Sequence, residues 1–321
     1  MLNLAINSLC LPALVAGKII HYMPLPKLIG RHKVTKVLCL FVCFILPMGS
    51  IAQPGSEVYL FDLSKQEGLY QLSNPKNISA NPGYDNQPFF SPNGKSILYA
   101  GIQAYEQTDI IRYDIKSGQH TNITNSAGSE YSPTLTPDGK FISTIILEKN
   151  GRQLLWKYPA KGGAPQIVVD ELVIGYHVWI NKDQLLAFVL GRPQTLQFIN
   201  LKTGEQEIMA AGIGRSLHKI PGENKFSYIS KADENNWMIM SWDPQSQQSK
   251  ALVATLAGSE DLAWTPDRKI LMGKGTELFQ CDPFADKQWK KIAGLQDYNL
   301  KSMTRLAVNA KGDKIAIVVA E

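Results

Sequence analysis

From residue 53 onward one pattern returns about every 40–45 residues: an apolar strand, a turn rich in Pro, Asn, Asp and Gly, and a second apolar strand. Self-similarity at that period is the mark of propeller blades. The turns are Ser91-Pro92-Asn93-Gly94-Lys95, Thr136-Pro137-Asp138-Gly139-Lys140, Asn181-Lys182-Asp183-Gln184, Pro221-Gly222-Glu223-Asn224-Lys225, Thr265-Pro266-Asp267-Arg268-Lys269 and Ala310-Lys311-Gly312-Asp313-Lys314. Proline presets the first turn angle, and Asn or Asp before Gly supplies the positive φ of a tight hairpin. Strands such as Ser96–Ala100 and Phe141–Ile146 follow the turns, then a third strand (Ile110–Asp114, Leu196–Asn200) and a short outer one (Thr121–Thr124, Gln166–Val169). Four strands per unit and six turns predict an all-β, six-bladed propeller.

The two ends fit that reading. The last unit holds only two strands, Thr304–Val308 and Lys314–Val319, and the opening segment supplies two more, Glu57–Asp62 and Gly68–Ser73. Pairing them completes the last blade and closes the ring, which removes open strand edges.

The first 52 residues read as a leader, with the propeller over 53–321. Arg31-His32-Lys33-Val34-Thr35-Lys36 precedes the apolar run Val37–Leu46, and Ser50-Ile51-Ala52 offers small residues at a cleavage site before Gln53. Ten apolar residues fall short of the roughly 20 that span a bilayer. Residues 1–30 fit no leader design, and initiation near Met23 or Val34 would give a conventional one. Five of the 33 basic residues, and no acidic one, precede residue 53, so the remainder carries 28 of each sign. That balance lacks the basic footprint of a nucleic-acid binder. Three of the four cysteines also fall in the leader; the fourth, Cys281, sits in a strand pattern and is expected to be a packed core thiol.

The blades resemble the TolB-like propeller repeat, an apolar strand, Ser-Pro-Asp-Gly-Lys and a second apolar strand. The first two units match it closely; the third lacks the Pro-Asp-Gly core, and the fifth has Arg268 where Gly is usual. The segments Tyr84–Pro88, Ile174–Trp179, Gly214–Lys219 and Glu260–Trp264 are similar to exported single-domain propellers of Bacteroidetes-type bacteria. The resemblance covers the whole of 55–321. It implies a periplasmic or secreted protein, and for that subgroup it implies no particular activity.

Catalytic motifs are missing: there is no Gly-x-Ser-x-Gly, no His-Glu-x-x-His and no phosphate-cradling Gly-rich loop. The Asn-x-Ser/Thr matches at Asn77 and Asn122 read as turn and strand residues. What stands out is a set of polar residues where each unit's first strand begins: Asp85, Asn86, Glu130, Tyr131, Tyr176, His177, Arg215, His218, Glu260, Asp261 and Arg305. First strands of a propeller line its channel, so these are the candidate ligand-binding residues at the channel mouth. Phe90, Trp179 and Trp264 before the turns are expected to pack between blades. Tyr105, Trp237 and Tyr298 are expected in loops.

The expectation is therefore a monomeric, non-catalytic binding or scaffold module without a cofactor. One face or the channel mouth would meet an envelope protein, a peptide or a glycan. The alternative is a lyase or hydrolase for acidic saccharides with a divalent metal in the channel, held through His177 and His218 on neighbouring units together with Gln87, Glu130 or Asp261.

Overall fold

A computed structural model describes residues 55–103 and 107–321; the predicted leader and Tyr105 lie outside them. The described residues form six four-stranded antiparallel sheets arranged as the blades of a propeller ring. Blade 1 comprises Asp85–Phe90, Ser96–Ile102, Thr108–Asp114 and His120–Asn122, counted from the channel outward. Blade 2 comprises Ser129–Leu135, Phe141–Leu147, Gln153–Pro159 and Gln166–Val169, and blade 3 Ile174–Asn181, Gln184–Val189, Thr195–Asn200 and Glu205–Ala211. Blade 4 is His218–Lys219, Phe226–Ser230, Met238–Asp243 and Gln248–Ala254, and blade 5 is Leu262–Trp264, Ile270–Lys274, Glu277–Cys281 and Lys290–Gly294.

Blade 6 takes its two inner strands, Met303–Val308 and Lys314–Ala320, from the C-terminal end and its two outer ones, Ser56–Gln66 and Leu69–Asn77, from the start of the described chain. The join runs over seven paired residues, from Ser56 opposite Ala320 to Asp62 opposite Lys314. The ring closes as the sequence predicts.

The middle strands carry alternating apolar residues that are buried on both faces between neighbouring blades. Ile97, Ile142, Leu185, Phe226, Ile270 and Ile315 occupy the same position of successive second strands, and each is wholly buried. Phe90, Trp179 and Trp264 are buried as well. The indole Nε1 of Trp179 donates to Ser143 Oγ of blade 2 at 2.8 Å, and that of Trp264 to Ser227 Oγ of blade 4 at 2.8 Å. The aromatic residues thus pack between blades, as expected. Cys281 is a free, buried thiol in blade 5, its pKa pushed up to about 12 by burial.

The two turns that depart from the repeat both form. In blade 3 Asn181 pairs directly with Gln184 across Lys182-Asp183. In blade 5 Arg268 adopts φ 61°, beside 68° for Gly139 in blade 2. Thr265 Oγ1 donates to Asp267 at 2.6 Å and Thr136 Oγ1 to Asp138 at 2.7 Å, so the same side-chain brace holds both turns.

A candidate binding site at the channel mouth

All six inner strands contribute to one cavity of about 290 Å³ on the axis. Its polar lining includes Gln87, Ser132, Tyr176, His177, Arg215, His218, Asp261 and Arg305, and its apolar walls include Pro88, Phe89, Pro133, Val178, Leu217 and Leu262. A concave site of apolar walls with a few converging polar groups is the usual form of a ligand pocket.

Blades 1 and 2 reach the axis through matching bulges. The register slips between Asn86 and Phe89 and between Tyr131 and Thr134. Gln87 and Ser132 there take φ of 57° and 53°, each just before a proline. A residue before proline prefers extended backbone, so both conformations are strained, by about 1–2 kcal/mol each. Contacts offset the strain: Ser132 N–H donates to Gln87 Oε1 at 2.7 Å, Gln87 Nε2 to the Tyr176 hydroxyl at 3.3 Å, and Ser132 Oγ to the Gly175 carbonyl at 3.2 Å.

Two arginines face the cavity in different electrostatic states. Arg215 is held by Asp261 through Nε at 2.9 Å and Nη2 at 2.5 Å, and its Nη1 lies 3.1 Å from Glu260. Glu260 also takes Lys231 Nζ at 2.5 Å, and that ammonium lies 4.1 Å from the Trp237 ring centre. Burial alone would raise the Asp261 carboxyl, but the charges of Arg215 and Arg305 and the hydrogen bonds from Arg215 outweigh it and hold it below the usual carboxylate range. Arg305 differs. Its Nη1 donates to Asn86 Oδ1 at 3.0 Å and its Nη2 to the Tyr176 hydroxyl at 2.6 Å, both uncharged, while its Nε–H is buried with no partner. Among the described residues neither Arg305 nor the exposed Lys219, which also lines the mouth, forms an ion pair, so the Arg305 guanidinium is one that no neighbouring carboxylate neutralises directly.

His177 is buried and His218 half-buried, and both are neutral, each with its pKa pushed down to about 4 by desolvation. His177 Nε2 lies 2.7 Å from Ser143 Oγ and its Nδ1 has no partner. His218 Nε2 lies 2.8 Å from Ser216 Oγ, which also accepts from the Leu262 N–H at 3.2 Å. Both line the cavity, but among the described residues no group of three His, Cys, Asp or Glu is placed to hold a metal ion.

Of the residues predicted for the mouth, Tyr176, His177, Arg215, His218, Asp261 and Arg305 line the cavity. Glu260 stands behind Arg215, and Asn86 behind Arg305. Asp85, Glu130 and Tyr131 are elsewhere, buried between blades. Tyr131 packs edge-on against Tyr84 with ring centres 6.1 Å apart. Ser132 was missed, and Gln87 was expected only as a partner of the histidines at a channel metal; the proline after each was the available signal. Tyr298 donates its hydroxyl to the Leu72 carbonyl at 2.7 Å and is a packing residue at the end of a short 3-10 turn.

No protein-family model matches the chain. An uncharacterised protein, Atu1656, of Agrobacterium fabrum is 32% identical over 81 residues, which is 25% of this chain and 27% of that protein's length. Among solved structures, one presented as a TolB of Agrobacterium tumefaciens superposes with a TM-score of 0.64 at 12% identity, over 84% of this chain and 99% of that one. TolB from Acinetobacter baumannii gives a TM-score of 0.55 at 12% identity, over 83% of this chain and 64% of that one. An oligogalacturonate lyase in complex with manganese gives 0.55 at 11% identity, over 84% and 98%. Identities this low establish shared architecture and nothing about chemistry. No helix among the described residues is long and apolar enough to cross a membrane. The six four-stranded blades, the closure through blade 6 and these superpositions together identify the fold as a TolB-like β-propeller.

Proposed function

We propose that the protein is an exported binding module whose channel mouth receives a carboxylate from an envelope protein, a peptide or a glycan. The observation that carries this reading is Arg305, a guanidinium at the cavity wall with a buried, unpartnered Nε–H and only neutral partners on its other nitrogens. A buried donor left unmade costs about 1–3 kcal/mol, and a carboxylate accepting from Nε and Nη would recover it with a charge-assisted bond. Gln87 and Tyr176 add hydrogen-bonding groups on the same wall, and the apolar residues around them favour a ligand with a hydrophobic body beside its charge. The scaffold part of the reading is supported by the complete ring. Export rests on the predicted leader.

The test is thermal unfolding of the full-length protein with three probes: a short glutamate-rich peptide, its glutamine counterpart and an oligogalacturonate. Saturation at about 100 times Kd stabilises a fold by about 2.7 kcal/mol. A rise in Tm with an acidic probe, absent with the glutamine peptide and absent in Arg305→Gln, is expected. The peptide and saccharide arms separate the two ligand classes. No response to either acidic probe, or an undiminished one in Arg305→Gln, would sink the reading. Cell fractionation checks export independently.

A further inference from the structure

Asp85 and Glu130 leave the channel for a reason that repeats. On one side of blade 1, Ser56 Oγ donates to the Asp85 carbonyl at 3.0 Å; on the other, Thr108 Oγ1 donates to the Glu130 carbonyl at 3.0 Å. The next residue of each strand is an acid, Glu57 or Asp109, and the one after, Val58 or Ile110, gives its N–H to Ser79 Oγ or Thr124 Oγ1, both at 2.9 Å. Those hydroxyls belong to the two Asn-x-Ser/Thr segments, Asn77-Ile78-Ser79 and Asn122-Ile123-Thr124. In each the asparagine Oδ1 accepts the hydroxyl residue's N–H at 3.2 Å, and the isoleucine N–H bonds to the neighbouring strand. The two segments are therefore one staple used twice, at the 6/1 and 1/2 seams.

Each staple encloses two carboxyl groups. Ser79 Oγ donates to Glu57, and Asp85 beside it is 1% exposed with an unpartnered Oδ2. At the other seam Glu130 and Asp109 are both fully buried, and Asp109 takes the Asn122 side-chain amide. Ser126, Thr124 and Tyr158 donate to Glu130, the last two at 3.1 Å. The groups facing Asp85 are Glu57, Tyr99, Ser79, Asn81 and the Ile102 backbone; those facing Glu130 are Asp109, Tyr158, Ser126 and Thr124. Among the described residues no lysine or arginine forms an ion pair with Asp85 or Glu130. Burial first, then Glu57, pushes Asp85 up to about 7, and burial first, then Asp109, pushes Glu130 up to about 7 against the Ser126 hydrogen bond.

We propose that the two seams are proton-held latches that fix blade 1 between its neighbours and loosen it when their protons leave. The latches touch the channel. Asn86, next to Asp85, donates to Ser56 Oγ at 3.1 Å and accepts from Arg305; Ser132, two residues after Glu130, holds Gln87 against Tyr176. Loosening blade 1 therefore releases two of the contacts that set Arg305 and Tyr176. This last consequence alone rests on the reading of the channel as a binding site.

The sign of the effect follows from linkage. A carboxyl raised on folding holds its proton in the native chain where the unfolded chain has lost it, so it lowers stability as pH rises from about 4 to about 7. His177 and His218 act oppositely, adding stability as pH rises from about 4 to about 6.5. Wild-type stability is expected to be nearly flat where the two pairs oppose, and removing the latches exposes the histidines. Over about pH 5–6, the unfolding constant of full-length Asp85→Asn/Glu130→Gln is expected to fall up to about 100-fold per pH unit relative to wild type, and that of each single variant up to about 10-fold. Amide hydrogen exchange, corrected for intrinsic rates, is expected to rise in 85–103 and 107–122 between pH 6 and 8 in wild type and not in the double variant. The single variants carry the test if the double one does not fold. Parallel pH profiles for wild type and every folded variant overturn the proposal. So does restoration of the low-pH exchange pattern by calcium chloride at pH 8 in wild type only, which would make the seams a cation site.

Discussion

At the scale of the residue, backbone conformation decides more than residue type. Arg268 occupies a left-handed position that Gly139 fills in blade 2. An L-residue there costs about 1–2 kcal/mol, yet Arg268 recovers part of it through Glu223 at 2.9 Å and by covering the Phe284 ring at 4.9 Å. A half-exposed ion pair contributes about 0.2–1 kcal/mol and a cation–π contact about 0.5–1. Arg268→Gly is therefore expected to change stability by less than about 1 kcal/mol, since relief of strain and loss of contacts nearly cancel. Gly139→Ala is the contrast: an added Cβ meets only Leu135 at 3.7 Å, an ordinary contact, so the change carries the φ penalty alone, about 1 kcal/mol. Urea denaturation of the two variants checks the pair, and a loss in Arg268→Gly as large as that in Gly139→Ala would contradict the argument. The turn itself was legible despite Arg268, because Thr265, Pro266 and Asp267 supply the brace and the first dihedral.

At the scale of the element, the alternation of strands was readable and its interruptions were not. A strict period of two puts Asp85 and Gln87 on the same side of one strand. The bulge at Gln87 breaks that rule and sends Gln87 to the axis while Asp85 stays in the seam, and Ser132 and Glu130 do the same in blade 2. Seam partners come from different blades and follow no local spacing, so the carboxyl pairs were invisible to a reading along the chain. The Trp-to-Ser links lie between neighbouring blades and differ in load. Ser143 Oγ donates to the Thr134 carbonyl at 3.0 Å, which leaves its lone pairs to accept from both Trp179 and His177 and places the His177 proton on Nε2. Among the described residues Ser227 serves Trp264 alone among side-chain donors. Ser227→Ala should cost about 1–3 kcal/mol for one stranded indole N–H, and Ser143→Ala more, because two buried donors lose their acceptor. Equal Tm losses for the two variants would show that the His177 bond contributes nothing.

At the scale of the whole molecule, each blade buries its faces only against neighbours, so the ring is as secure as its join. The join was the most legible feature of the chain, since each end carries the strands that the other lacks. The strand Lys314–Ala320 has Ile315, Ala316, Ile317 and Val318 fully buried, and seven of its residues pair with Ser56–Asp62, where Lys314 also forms an ion pair with Asp62. Without the two outer strands, that run becomes an exposed, apolar, hydrogen-bonding edge, which recruits other chains. Deleting everything before Ile78 is accordingly expected to remove the cooperative unfolding transition and drive the protein into the pellet or into higher oligomers. A chain beginning at Gln53 keeps the join and is expected to remain soluble with the Tm of the longer protein. Size-exclusion chromatography with calorimetry on both truncations decides it: a monomeric, cooperatively folded protein starting at Ile78 would mean that the remaining blades close without the join, and that the pairing at blade 6 is dispensable to the ring.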